Sequence, residues 1–222
     1  MTVVSVKTAA GSSGGNKSRK ADSSLMRIGL SDGSLFSFKT VYLPPGFDSQ
    51  SLEILGREVS PEEAQSLRHA SGCYRAERAA LQLVARAEQT RSGLSRKLER
   101  KGLDSAHIRP ALACLESLEI VSDRRFAELY LEGKLRRALS AGRTKLCPRK
   151  LFSSLLNRGI SADTARRAMK AALDREGEIT LLRNYIAAVY AGFEEAPGMM
   201  VWQKLKAEGF SQQAINAYKE ER

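Results

Sequence analysis

The side chains best suited to chemistry in this sequence are cations in bulk. Residues 134–150 hold Lys134, Arg136, Arg137, Arg143, Lys145, Arg149 and Lys150 and no acidic residue. Solvated helix faces usually mix charge signs. An unbroken basic run therefore points to a polyanionic partner, bound by releasing the counterions condensed on its phosphates. Arg166 and Arg167 extend this set. An earlier group comprises Arg86, Arg91, Arg96, Lys97, Arg100 and Lys101. Toward the C-terminus Glu194, Glu195, Glu208, Glu220 and Glu221 dilute the positive charge. Over 222 residues, 36 Lys and Arg stand against 25 Asp and Glu, a net charge of +11. Such a balance suits DNA, RNA or an acidic protein face. Solubility alone is the plainer explanation, and the uneven distribution weighs against it.

No covalent or metal chemistry is legible. The phosphate-loop, nucleophile-elbow and HExxH patterns are absent. His69 and His107 have no carboxylate or nucleophile in an obvious position, and His107 reads as an ordinary surface residue. Cys73, Cys114 and Cys147 are spaced too widely for a zinc site, and Cys114 reads as a core filler. The sequence therefore predicts no enzyme, no metal and no cofactor. An odd, scattered set of cysteines fits a reducing cytosol. With no apolar leader and no long apolar run, the expected location is the cytoplasm, without a membrane partner. A monomer is expected.

The elements that must position these cations are helical. Aromatics make up only 6% of a sequence dominated by good helix formers. The basic stretch GSSGGNKSRKADSS marks residues 1–23 as a disordered tail. Residues 25–43 read as a β-hairpin turning at Asp32-Gly33 and ended by Pro44-Pro45-Gly46. A short helix starts at Ser60, where Ser60-Pro61-Glu62-Glu63 forms a capping box. From Tyr74 onward the spacing is helical throughout.

Self-similarity organises that helical part. LSRKLERKGL (94–103), LFSSLLNRGI (151–160) and VWQKLKAEGF (201–210) share an apolar residue, another four later, then Gly and an apolar residue. The anchors are Leu94, Leu98 and Gly102, then Leu151, Leu155 and Gly159, then Val201, Leu205 and Gly209. Asp104, Ser161 and Ser211 are placed to cap a second helix. A leading helix precedes each pair, at roughly 74–88, 123–139 and 178–191. The expected fold is all-α: three tandem three-helix repeats in an elongated curved body, with an N-terminal β-hairpin extension. The expected divisions are a tail (1–23), a hairpin with a short helix (24–72), and repeats at 73–120, 121–176 and 177–222.

These motifs resemble the RecX family of RecA regulators. ALQLVARAEQTRSGLSRKLERKGL, from Ala79, is similar to the family's first motif through Leu83, Glu88, Thr90, Arg91, Leu94, Lys97, Leu98 and Gly102. Asp123, Phe126, Ala127 and Tyr130 match its DxxFA…Y signature, and LFSSLLNRGI completes the set. The sequence departs from the family at Ala87 and Gln89, where a basic residue and His are usual. It departs again at Cys147-Pro148, where Gly is usual. The resemblance implies a modulator that lies in the groove of the RecA–single-stranded DNA filament, inhibits ATP hydrolysis and strand exchange, or promotes filament disassembly. Its setting is then DNA repair, homologous recombination and the SOS response. The cations above would meet single-stranded or double-stranded DNA, or acidic RecA faces. Phe126 and Tyr130, one turn apart, are expected to pack inward. Two other readings stay open: a general nucleic-acid-binding protein without RecA contact, and a structural adaptor.

Overall fold

The computed structural model describes residues 1–9, 25–190 and 199–221. The chain forms two compact units, one of Met1–Glu88 with Leu94–Val121, the other of Gln89–Gly93 with Ser122–Arg222.

In the first unit, β1 (Val3–Ala9), β2 (Leu25–Leu30) and β3 (Leu35–Lys39) form an antiparallel sheet in that order. The hairpin expected at 25–43 is thus β2–β3, but it is not alone. Val3–Ala9, assigned in sequence to a disordered tail, pairs along β2 from Val3↔Leu30 to Ala9↔Leu25. The correction has a simple cause. Val3, Val4 and Val6 are β-branched and suit a strand, but the glycine-rich stretch after them masked that signal. The rest of the expected tail, 10–23, lies outside the described residues. The second strand also ends sooner than expected, because a 3-10 turn takes over at Thr40–Tyr42.

One sheet face buries Met26, Ile28, Leu30, Phe36 and Phe38 against Ala64, Leu67, Ala70 and Cys73 of α1 (Pro61–Val84). The capping box is formed: Ser60 Oγ accepts from the Glu63 N–H, and Glu63 accepts from the Ser60 N–H. That helix is longer than the sequence suggested. The short helix at 60 and the leading helix at 74 are one 24-residue element, so the division proposed at 72/73 falls inside it. Gly72 in a helix interior costs only about 1 kcal/mol. Packing on both sides outweighs it: the first half of α1 covers the sheet. Ala76 and Ala80 then join a core with Leu94, Leu98, Ile108, Leu112 and Leu115. Those residues come from α2 (Arg91–Arg100) and α3 (Ser105–Ser117).

The second unit contains α4 (Asp123–Ser140), α5 (Pro148–Leu156), α6 (Ala162–Ala172), α7 (Arg175–Val189), α8 (Met199–Ala207) and α9 (Gln212–Glu220). Its core gathers Ala127, Leu131, Leu151, Leu155, Leu181, Leu205 and Phe210. The three Gly-linked helix pairs are α2–α3, α5–α6 and α8–α9, with linking φ values of +78°, +83° and +92° at Gly102, Gly159 and Gly209. Asp104, Ser161 and Ser211 each cap the following helix with their own side chains. Within these groups α1 packs on α3, α4 on α6 and α7 on α9.

Candidate nucleic-acid interface

The basic positions are on the surface, but not all are free. Arg86, Arg100 and Lys101 are exposed on the first unit, and Arg96 joins them there. Lys97 is half-buried. Arg91 is exposed on the second unit.

On the second unit the acid-free stretch of sequence meets acids in space. Arg136 is ion-paired with Glu132 one helical turn back. Arg149 grips Glu208, fifty-nine positions on, through Nε to Oε2 (3.2 Å) and Nη2 to Oε1 (2.8 Å). The Cys147 thiol donates to the same carboxylate at 3.0 Å. Those two donors hold Glu208 below the usual carboxylate range, while burial pushes the Cys147 thiol up. Arg166 pairs with Asp163 at 3.0 Å. The sequence could not reveal the Glu208 contact, because it joins the starts and ends of different helix pairs.

Within 134–150, five cations have no ion-paired carboxylate among the described residues, namely Lys134, Arg137, Arg143, Lys145 and Lys150; the Lys150 charge nevertheless acts on Glu208. Arg137 Nε donates to the Gly133 carbonyl at 3.1 Å, and Lys150 Nζ to the Lys145 carbonyl at 2.9 Å. Arg167 likewise turns to a carbonyl, that of Asp163. These contacts leave the charge itself available to an anion.

Asn184, which the sequence did not single out, fixes the loop that carries Arg143 and Lys145. Its Nδ2 donates to the carbonyls of Ala138 (3.0 Å) and Leu139 (3.1 Å), satisfying the end of α4. The Asn184 backbone carbonyl accepts from the Thr144 N–H at 3.0 Å. A buried Asn in an otherwise apolar helix face was the available signal.

The motif residues are structural. Leu94, Leu98, Ala127, Leu151 and Leu155 are fully buried or nearly so. Thr90 caps α2: its Oγ1 accepts from the Gly93 N–H and donates to the Arg158 carbonyl, both at 2.9 Å. Asp123 Oδ1 accepts from the Arg91 N–H at 2.8 Å. Phe126 and Tyr130 lie nearly parallel, 6.1 Å apart, against the second core. The Arg158 guanidinium lies 4.2 Å over the Tyr130 ring, and Lys134 Nζ stands 5.7 Å from it.

The histidines are less ordinary than expected. His69 and His107 lie with ring centroids 5.1 Å apart, and His107 is half-buried against Gly72. Burial, with His69 and Arg75 adding repulsion, holds the His107 imidazole below its usual value. Cys114 is half-buried against the sheet core. Among the described residues, no group of three or more His, Cys, Asp or Glu is placed to hold a metal, and no helix is long and apolar enough to cross a membrane.

Glycine-linked helix pairs and exposed cations define a mainly helical protein with a basic surface. No protein-family model matches the chain. The regulatory protein RecX of Halorhodospira halophila is 32% identical over 83 residues, 37% of this chain and 47% of that protein. RecX of Syntrophotalea carbinolica is 27% identical over 144 residues, 63% of this chain and 90% of that protein. The matched segment thus spans about half the length of the first relative and most of the second. A crystal structure of a regulatory protein RecX superposes with a TM-score of 0.66 at 18% identity, covering 99% of this chain and all of the other. RecX from Lactobacillus salivarius gives 0.51 at 22% identity over 68% of this chain and 97% of its own. At such identities the structures testify to the fold. The sequence relatives that the chain resembles are likewise RecX proteins.

Proposed function

We propose that this protein regulates a RecA recombinase, mainly as an inhibitor, by binding in the groove of the RecA–single-stranded DNA filament. It works in the cytoplasm, in DNA repair and recombination, and lowers ATP hydrolysis, strand exchange and filament stability. The observation that carries this reading is the set of five exposed cations without an ion pair among the described residues, Lys134, Arg137, Arg143, Lys145 and Lys150, on a protein of RecX fold. Clustered cations bind phosphate with a strength that falls steeply with salt. We also read α1–α3, α4–α6 and α7–α9 as three tandem repeats, on the strength of their shared glycine turns and leading helices.

Cosedimentation with RecA assembled on oligothymidylate tests the reading. The protein should pellet with the filament, and pellet less when the five cations are replaced by Gln. Failure to pellet at saturating concentration contradicts it.

The same cations support a second reading, a general DNA- or RNA-binding protein without RecA contact. Under that reading, affinity for bare DNA is tight and salt-sensitive while RecA filaments behave as if the protein were absent.

A further inference from the structure

The N-terminal unit holds a second basic feature, distinct from the cations that the sequence singles out. Between β3 and the middle of α1 runs an open groove of about 620 Å³. Leu35, Phe36 and Ser37 form one wall, and Arg68, Tyr74, Arg75 and Arg78 the other, with His107 of α3 lining it against Gly72. No Asp or Glu lines it.

The three arginines are all exposed, and none has a hydrogen-bond or ion-pair partner among the described residues. Arg136, Arg149 and Arg166 on the other unit each have a carboxylate. A guanidinium carries five donors and stays charged, so this wall presents a full set of unclaimed donors. Steps of seven and three residues keep Arg68, Arg75 and Arg78 on one side of α1. At the helical rise they spread over about 15 Å, enough for several backbone phosphates.

Two further features separate nucleic acid from peptide as the occupant. Ser71 Oγ accepts from the Ser37 N–H at 3.3 Å and donates to the Ser37 carbonyl at 3.0 Å. The outer edge of β3 is therefore closed at its centre, and a peptide cannot add there as a further strand. Tyr74 is half-buried in the groove wall, and Leu35, 81% exposed, stands at its lip. An aromatic and an aliphatic surface beside a row of cations is the arrangement on which unpaired bases stack while their backbone is neutralised.

We propose that this β3–α1 groove binds single-stranded nucleic acid, with Arg68, Arg75 and Arg78 on the phosphates and Tyr74 and Leu35 against the bases. The site stands independently of any contact with RecA.

Fluorescence anisotropy of a labelled oligothymidylate of about twenty nucleotides tests it with RecA absent. The full-length protein is compared with R68Q/R75Q/R78Q and with K134Q/R137Q/K145Q. The substituted arginines and lysines are all exposed, and circular dichroism melting verifies that each variant, including Y74A at the half-buried Tyr74, is folded. The groove variant should bind about tenfold more weakly, and its log K against log salt slope should fall by about 2 to 3. R68K/R75K/R78K, which keeps the charge, should retain most of that slope, and Y74A should weaken binding with the slope intact. Wild-type affinity and slope in R68Q/R75Q/R78Q would overturn the proposal. So would capture of a poly-glutamate peptide through these arginines while the oligonucleotide is bound as before, which would make the groove an acidic-protein site. Neither result touches the RecA reading, which the filament measurements decide.

Discussion

A Cβ on Gly159 would stand 2.3 Å from the Cβ of Ser92 and 2.5 Å from its Oγ. The turn between α5 and α6 is thus closed against the first turn of α2. The equivalent Gly102 has the same left-handed backbone but nothing within 4 Å of the added atom. Gly102→Ala should cost the left-handed penalty alone, about 1–2 kcal/mol. Gly159→Ala adds an overpacking cost of about 1–3 kcal/mol, and Ser92→Gly in the same chain should recover part of it. Urea denaturation measures all three variants. Equal losses at the two glycines would show that the Ser92 contact does not matter.

Glu77 is 2% exposed, ion-paired with Lys39 and accepting from the Tyr42 hydroxyl at 2.8 Å. It ties the 3-10 turn after β3 to α1. Removing one partner of a buried pair leaves the others desolvated and unpaired, so Glu77→Ala should cost about 3 kcal/mol. Tyr42→Phe, which deletes a single hydrogen bond, should cost about 1 kcal/mol. Chemical denaturation should rank them in that order, and the reverse order would contradict the pairing.

His107 makes stability depend on pH. Burial first, then His69 and Arg75, lower its value in the folded state, while Asp104 opposes them, and Arg68 and Arg78 share its groove. The unfolded chain, titrating near 6.5, then takes up the proton more readily than the folded one. Stability contributed by the neutral ring is complete above about pH 6.5 and is lost as the pH falls below it. The urea midpoint should decline in that window, and His107→Gln should flatten the decline. An unchanged decline in the variant would assign it to another group.

Much of this architecture was legible and some was not, for physical reasons. Local signals carried well: the glycine turns, the caps at Asp104, Ser161 and Ser211, and the Ser60 capping box all formed. Two elements differ from their sequence reading: Val3–Ala9, which the glycine-rich stretch beside it marks as tail, is a strand, and the division at 72/73 falls inside a single helix. At the candidate interface, the cations were visible but their partners were not. Whether Arg149 is available to a ligand depends on Glu208, and no local rule connects residues so far apart in sequence. The β3–α1 groove escaped for the same reason, since Arg68, Arg75 and Arg78 join Leu35 only after folding.

Asn184 should control the basic loop it holds. Asn184→Leu leaves the Ala138 and Leu139 carbonyls without their donor, at a cost of about 1–3 kcal/mol. Amide hydrogen exchange over residues 141–147 should quicken in that variant. Unaltered protection there would mean that Asn184 does not order the loop.

The most direct test of the account is the single-strand-dependent ATPase of RecA, followed as this protein is titrated in. Wild-type protein should lower the rate to a plateau. K134E/R137E/K145E/K150E should lose most of that effect, whereas R149Q, whose cation is already committed to Glu208, should lose little. An unchanged ATPase rate at saturating wild-type protein, or equal inhibition by the charge-reversed variant, would contradict it.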